Sequence, residues 1–174
     1  RHSINILIIN EMKTIIAVVG NKDSGKSAAL ITLYERLKRC PLKMESVEFK
    51  KTDQPEPSED IEALINLGGH LIGIVSMGDP DNTGTDIHST LLSRMATKKC
   101  EILICTARTE KGNKMLDHIN TIATQYKSNI IWTSNLYTQE FGTNNNDGWL
   151  NKKINLNEVF ADNMLNLITY LIFK

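Results

Sequence analysis

The chain has 174 residues, of which 41% are apolar and 23% charged, values that are ordinary for one globular domain. Its 20 Lys and Arg residues balance its 20 Asp and Glu residues, and this net charge of zero gives no sign of a nucleic-acid or membrane surface. No apolar run approaches the ~18 residues that a membrane-spanning helix needs. Three cysteines without a CxxC pair predict reduced core thiols in a cytoplasmic protein.

Residues 1–11 precede the first clear strand, and two interpretations of them stay open. Met12 lies directly before that strand, which indicates that residues 1–11 are upstream or tag sequence. The run SINILII is instead β-prone and would suit an additional edge strand. Residues 12–174 are expected to form a single domain, because no Pro/Gly/Ser-rich linker divides them.

Apolar runs alternate with amphipathic segments along the rest of the chain. Strands are expected at 14–19, 47–51, 71–77, 101–106 and 129–133, and helices at 26–38, 59–66, 87–98, 114–126 and 156–172. Ser58 is the predicted N-cap of the helix at 59–66, and Gly68-Gly69 its end. Because the strands are continuously apolar, the pattern predicts an α/β three-layer sandwich with a mostly parallel central sheet of about five strands.

The segment GNKDSGKS, Gly20 to Ser27, matches the phosphate-loop pattern G-x-x-x-x-G-K-[ST]. It lies between a predicted buried strand and a predicted helix, so its backbone N–H groups and the positive end of the helix dipole would face one anion. Lys26 can reach the β- and γ-phosphates of a nucleotide, and the Ser27 hydroxyl can bind Mg²⁺. The nucleotide-binding residues predicted from this motif are Gly20, Asn21, Lys22, Asp23, Ser24, Gly25, Lys26, Ser27 and Ala28.

On these residues the chain resembles the P-loop NTPase superfamily, over most of its length. The run VVGNKDSGKS is also similar to the opening of the molybdopterin-guanine dinucleotide biosynthesis accessory GTPases, which continue with a strand that carries a basic pair, as FKKT does here. The resemblance implies a P-loop NTPase fold, a bound nucleoside triphosphate and a Mg²⁺ cofactor.

A second group on the metal side is expected at the end of another strand. Asp79 follows the apolar run LIGIVSMG directly and is the predicted second metal ligand beside Ser27, with Asp53 as its competitor. Arg108 follows the strand at 101–106 and is predicted to contact a phosphate. The catalytic residues are therefore predicted to be Lys26, Asp79 and Arg108.

The stretch WTSN, which ends at Asn135, is used to predict which nucleotide base is bound. Guanine-specific P-loop proteins commonly carry N-K-x-D at this position, and its absence favours ATP over GTP. Asn135 is the predicted contact to the base edge, and Tyr137 or Trp149 could stack on the ring.

The predicted function is Mg²⁺-dependent binding and hydrolysis of a nucleoside triphosphate, as an NTPase or a nucleotide-dependent switch. One alternative is a small-molecule or nucleotide kinase, although no arginine-rich lid is visible in the sequence. Another is a module that holds nucleotide without turnover and controls a partner protein. A protein partner or a homodimer is compatible with each of these functions.

Overall fold

The computed structural model describes residues 11–21, 24–42, 48–51, 60–76, 87–109, 114–136 and 147–174. These residues contain six strands and four helices. The strands are β1 Thr14–Gly20, β2 Glu48–Lys51, β3 Ile61–Leu67, β4 His70–Val75, β5 Ile102–Arg108 and β6 Asn129–Thr133. The helices are α1 Lys26–Lys38, α2 Ile87–Thr97, α3 Met115–Tyr126 and α4 Asp147–Ile172.

The six strands form one sheet in the order β2-β3-β4-β5-β1-β6. The pairs β1–β5, β1–β6 and β4–β5 are parallel, and the pairs β2–β3 and β3–β4 are antiparallel. Only β3 therefore runs against the other strands of this sheet. The α/β class and the mostly parallel sheet are confirmed, with one strand more than the five that were expected.

Apolar side chains from alternate positions of the sheet enter two separate cores. Ile16 and Val18 of β1 pack with α1 and α4 on one face, while Ile15 and Ala17 pack with α2 and α3 on the other. This alternation explains why β1 is continuously apolar in sequence, since a strand with helices on both faces has no solvent-facing side. The sheet thus lies between two helical layers.

The helix predicted at 59–66 is wrong, because this segment forms strand β3, which pairs with β4 as an antiparallel hairpin. Ile61, Leu64 and Ile65 have helical spacing in sequence, but Ile61 and Ile65 face one core and Leu64 faces the other. Gly68 and Gly69 have φ values of 62° and 92° and form the two-residue turn between Leu67 and His70. Gly-Gly between two β-prone runs suits such a hairpin turn, whose residues both need positive φ. The N-cap predicted at Ser58 lies outside the described residues.

The remaining helices and strands lie close to the predicted positions, except that α4 begins at Asp147 rather than near 156. Cys100 and Cys105 are free thiols in the core, whereas the free thiol Cys40 is only half-buried, and burial raises the pKa of Cys100 and of Cys105 to about 12. Within the ranges given above, no helix combines the length and the apolar character that crossing a membrane requires. Residues 1–10 lie outside those ranges, so neither interpretation of them is tested.

Candidate functional site

The turn between β1 and α1 lies at the carboxyl edge of the parallel strands. Strand β1 ends at Gly20, and helix α1 begins at Lys26 after Gly25 as its N-cap. Gly25 has φ 79° and ψ 18°, a left-handed conformation in which a side chain would be strained. The Ala29 N–H donates to the Gly25 carbonyl at 3.0 Å, so hydrogen bonding along α1 begins at this residue. The strand and the helix predicted on either side of the motif are therefore both present.

Lys26 is a buried cation, with only 7% of the residue exposed. Its Nζ donates to the Asn21 carbonyl at 2.6 Å, to the Gly20 carbonyl at 3.1 Å and to Ser24 Oγ at 3.2 Å. All three of these acceptors are neutral and belong to the turn itself. The ammonium group thus lies inside the curve of the chain that precedes it, and burial of this charge is offset by hydrogen bonds.

Ser27 contacts a carboxylate that the sequence prediction had placed on a helix. Its Oγ lies 2.9 Å from Asp60 Oδ1 and 3.1 Å from the Ser76 carbonyl oxygen. Asp60 directly precedes β3, and because β3 is antiparallel to its neighbour, the start of β3 lies beside the end of β4. Ser76 fixes Asp60 further: its Oγ accepts from the Ile61 N–H at 2.7 Å and donates to Asp60 Oδ1 at 3.3 Å.

Thr106 connects this group to strand β5. Its hydroxyl donates to the Ser76 carbonyl at 2.6 Å, and the residue is fully buried. The Thr106 carbonyl oxygen lies 3.2 Å from Nε2 of His88 on α2, and because a carbonyl can only accept, Nε2 is the donor. Hydrogen bonds therefore link α1, β4, β5 and α2 at this edge of the sheet.

Two residues hold the Gly20–Ser27 turn from neighbouring strands. Asn135, buried just beyond β6, donates from Nδ2 to the Ser24 carbonyl at 2.7 Å. Thr109, just beyond β5, donates from Oγ1 to Asn21 Oδ1 at 3.1 Å and from its backbone N–H to the Gly20 carbonyl at 3.3 Å. The amide nitrogen of Asn135 is thus engaged with the backbone of the turn, whereas the sequence had predicted a base contact for this residue.

The other predicted site residues are described in part. Arg108 is half-buried and pairs in register with Gly20, so its backbone lies beside the turn, as does the half-buried Ala28 in the first turn of α1. Among the described residues, no group of three or more His, Cys, Asp and Glu side chains is placed to hold a metal ion. The predictions made for Lys22, Asp23, Asp53, Asp79, Tyr137 and the Trp149 side chain lie outside the described residues.

Asp60 is the site residue that sequence reasoning missed. A signal for it was available: counting outward from a hairpin turn at Gly68-Gly69 pairs Ile61 with Ser76 and brings Asp60 to the end of β4. Reading the glycines as a helix end removed that signal.

These residues define the class of the molecule, an α/β domain in which polar side chains from several elements converge on a strand–turn–helix unit. Comparison of the chain with models of known protein families, with curated proteins and with solved structures gave no match.

Proposed function

We propose that this chain binds and hydrolyses a nucleoside triphosphate with Mg²⁺, as an NTPase or a nucleotide-dependent switch, with ATP preferred over GTP. The observation that carries the proposal is the buried Lys26 ammonium inside the Gly20–Ser27 turn, at the start of α1. A cation, the N–H groups of a first helical turn and a left-handed glycine together favour a bound anion.

A bound phosphate would replace one of the hydrogen-bond acceptors that the Lys26 ammonium contacts. Three of its partners in the turn are neutral oxygens, and an anionic phosphate oxygen would add a charge–charge attraction that a neutral oxygen lacks. A phosphate oxygen that displaced one of these acceptors would therefore gain more from the ammonium than a carbonyl does. Gly20–Ser27 would receive the phosphates, with Arg108 as a further predicted contact from β5.

The residues present fit a hard cation next to that phosphate. The Ser27 hydroxyl and the Asp60 carboxylate are 2.9 Å apart, and Mg²⁺ prefers oxygen ligands of these two kinds. Bound there, Mg²⁺ would neutralise charge on the β- and γ-phosphate oxygens. Asp60 would position the cation together with Ser27, a role for which the sequence predicts Asp79, with Asp53 as its competitor.

The proposal is tested by Lys26→Ala, with Lys38→Ala as the matched control. Both lysines lie on α1, but Lys38 is exposed, pairs with Glu35 and lies over the Tyr34 ring, away from the Gly20–Ser27 turn. We expect Lys26→Ala to weaken Mg-ATP binding by roughly tenfold or more, since a hydrogen bond to a charged group contributes about 1.5–3 kcal/mol. Isothermal calorimetry with ATP and GTP measures the affinities, and circular dichroism checks the fold. Unchanged affinity in a folded Lys26→Ala variant would mean that the turn does not bind phosphate.

The reaction is tested by single turnover with γ-labelled ATP. Release of labelled phosphate supports the NTPase. Label on a second molecule would identify a kinase, and binding without release would identify a module that holds nucleotide without turnover.

A further inference from the structure

Strand β6 forms one end of the sheet. Within the part of the chain that the structure describes, β6 pairs with β1 on one side and with no strand on the other. The outer side of such a strand presents backbone N–H and C=O groups at the spacing that another strand needs.

Strand β6 itself lacks three features that commonly protect an edge strand from pairing, namely charge, proline and a bulge. The sequence of β6, NIIWT, contains no charged residue and no proline, and its ladder with β1 is continuous over five residues, without a bulge. Trp132 lies at the edge and is 45% exposed. Among the described strands, β6 therefore combines an outer backbone edge that no strand pairs with and an exposed aromatic ring.

The side chains of β6 are complementary to β6 itself when it is read in the opposite direction. We propose that a second copy of this chain pairs with β6 in antiparallel fashion, about a two-fold axis through Ile131. In this register Asn129 faces Thr133 of the other copy, Ile130 faces Trp132, and Ile131 faces Ile131. Both polar residues thus meet each other, and each apolar residue meets another apolar residue.

The faces of the strand agree with this register. Ile130 packs against the core formed with α2 and α3, and Ile131 packs against the core on the opposite face. Strand alternation places Trp132 on the same face as Ile130, so the exposed indole of each copy would cover the Ile130 of the other. Aromatic and β-branched residues on directly opposed positions are a favourable cross-strand pair.

The identity of the occupant follows from this self-complementarity. An isologous contact of this kind is closed by the two-fold axis, joins the two six-stranded sheets into one and leaves no further β6 edge open. The contact uses the outer edge of β6 rather than the Gly20–Ser27 turn, so the proposal goes beyond triphosphate binding and does not depend on it.

The register is tested by a matched pair of double variants at the two ends of the strand. Asn129→Lys with Thr133→Lys would place like charges opposite each other in the dimer, whereas Asn129→Lys with Thr133→Glu would place opposite charges there. Because charges directly across an antiparallel pair act on its stability in opposite directions, we expect the two dimer dissociation constants to differ by roughly tenfold or more. Sedimentation velocity over a concentration series measures them, with the wild-type chain expected to dimerise.

A second measurement covers the case in which a double variant fails to fold. Ile131→Cys, oxidised in the full chain, is expected to form a covalent dimer, because residue 131 faces its own copy at the axis. Thr121→Cys, on the exposed side of α3, is the control. After the same oxidation it should run as a monomer on both reducing and non-reducing gels. A wild-type chain that stays monomeric at every concentration, or double variants that dimerise equally, would overturn the proposal.

Discussion

Asp60 accepts hydrogen bonds from the hydroxyl groups of both Ser27 and Ser76, through the same carboxylate oxygen, Oδ1. The backbone around it is also fixed, since the Ile61 N–H donates to Ser76 Oγ and the Ser76 N–H donates to the Ile61 carbonyl. A carboxylate held this firmly at the first turn of α1 can position a cation without first having to be ordered.

We expect Asp60→Asn to weaken nucleotide binding in Mg²⁺ while leaving metal-free binding unchanged or tighter. The amide keeps the size of the side chain but loses the negative charge that a divalent cation needs nearby. Calorimetric titration of ATP in Mg²⁺ and in EDTA separates the two conditions. Asp162→Asn, an exposed carboxylate that pairs with Arg36, is the control. If Asp79→Asn had this effect and Asp60→Asn did not, the carboxylate role would belong to Asp79.

Strands β5 and β6 each supply one support for the turn beyond their last residue, Thr109 and Asn135 respectively. These contacts hold Gly20, Asn21 and Ser24 in the absence of a ligand, and under the proposed function they would lower the cost of ordering the turn on binding.

Asn135→Ala should lower the affinities for ATP and for GTP by the same factor. The reason is that Asn135 Nδ2 contacts the Ser24 carbonyl, so its loss would affect the backbone proposed to receive phosphate and not the base. Loss of a buried hydrogen bond costs about 1–3 kcal/mol, of which a part would be seen in binding. Asn120→Ala on the exposed side of α3 is the control. A change in the ratio of the two affinities, measured in parallel, would instead support the predicted base contact.

The elements could be predicted from the sequence where one physical signal dominated. The G-x-x-x-x-G-K-[ST] pattern and the apolar run before it located the end of β1, the turn and the start of α1. The segment before Gly68 could be read in two ways, because a strand buried on both faces has no alternation that separates it from a short buried helix. The contact between Ser27 and Asp60 depends on the direction of β3, so it could not be predicted once that strand was taken for a helix.

An ionic cluster joins β1, β4 and β5 at their amino ends, the ends of these strands that lie away from the Gly20–Ser27 turn. Glu101, just before β5, pairs with Lys13 Nζ at 2.8 Å and with Nδ1 of His70 on β4 at 2.5 Å, and Lys13 directly precedes β1. Burial by itself would raise the pKa of Glu101, but hydrogen bonds and charges from Lys13 and His70 outweigh that effect and lower it.

This lowered pKa makes a contribution to the stability of the whole molecule that depends on pH. A carboxylate whose pKa is lower in the folded than in the unfolded state stabilises the fold above the unfolded value, about 4.3, and loses that contribution as the pH falls through the folded pKa. We expect Glu101→Gln to lower the free energy of unfolding at pH 7 by about 1–3 kcal/mol, with a smaller difference from wild type near pH 3.

Urea denaturation of both proteins across this pH range measures the effect. Glu35→Gln is the control, because the Glu35–Lys38 pair is solvent-exposed and should contribute no more than about 0.5 kcal/mol. If the loss of unfolding free energy caused by Glu101→Gln stayed constant with pH, the cluster would act through packing and not through its charge.

The carbonyl of Ser76 accepts from Thr106 and lies within reach of Ser27, while the Thr106 carbonyl accepts from His88. Ser27 belongs to the helical layer on one side of the sheet and His88 to the layer on the other. The sheet separates these layers over most of its area, but at the carboxyl ends of the parallel strands a short chain of hydrogen bonds connects them. This chain of hydrogen bonds therefore connects the first turn of α1 to α2, although the apolar cores on the two sides of the sheet are separate.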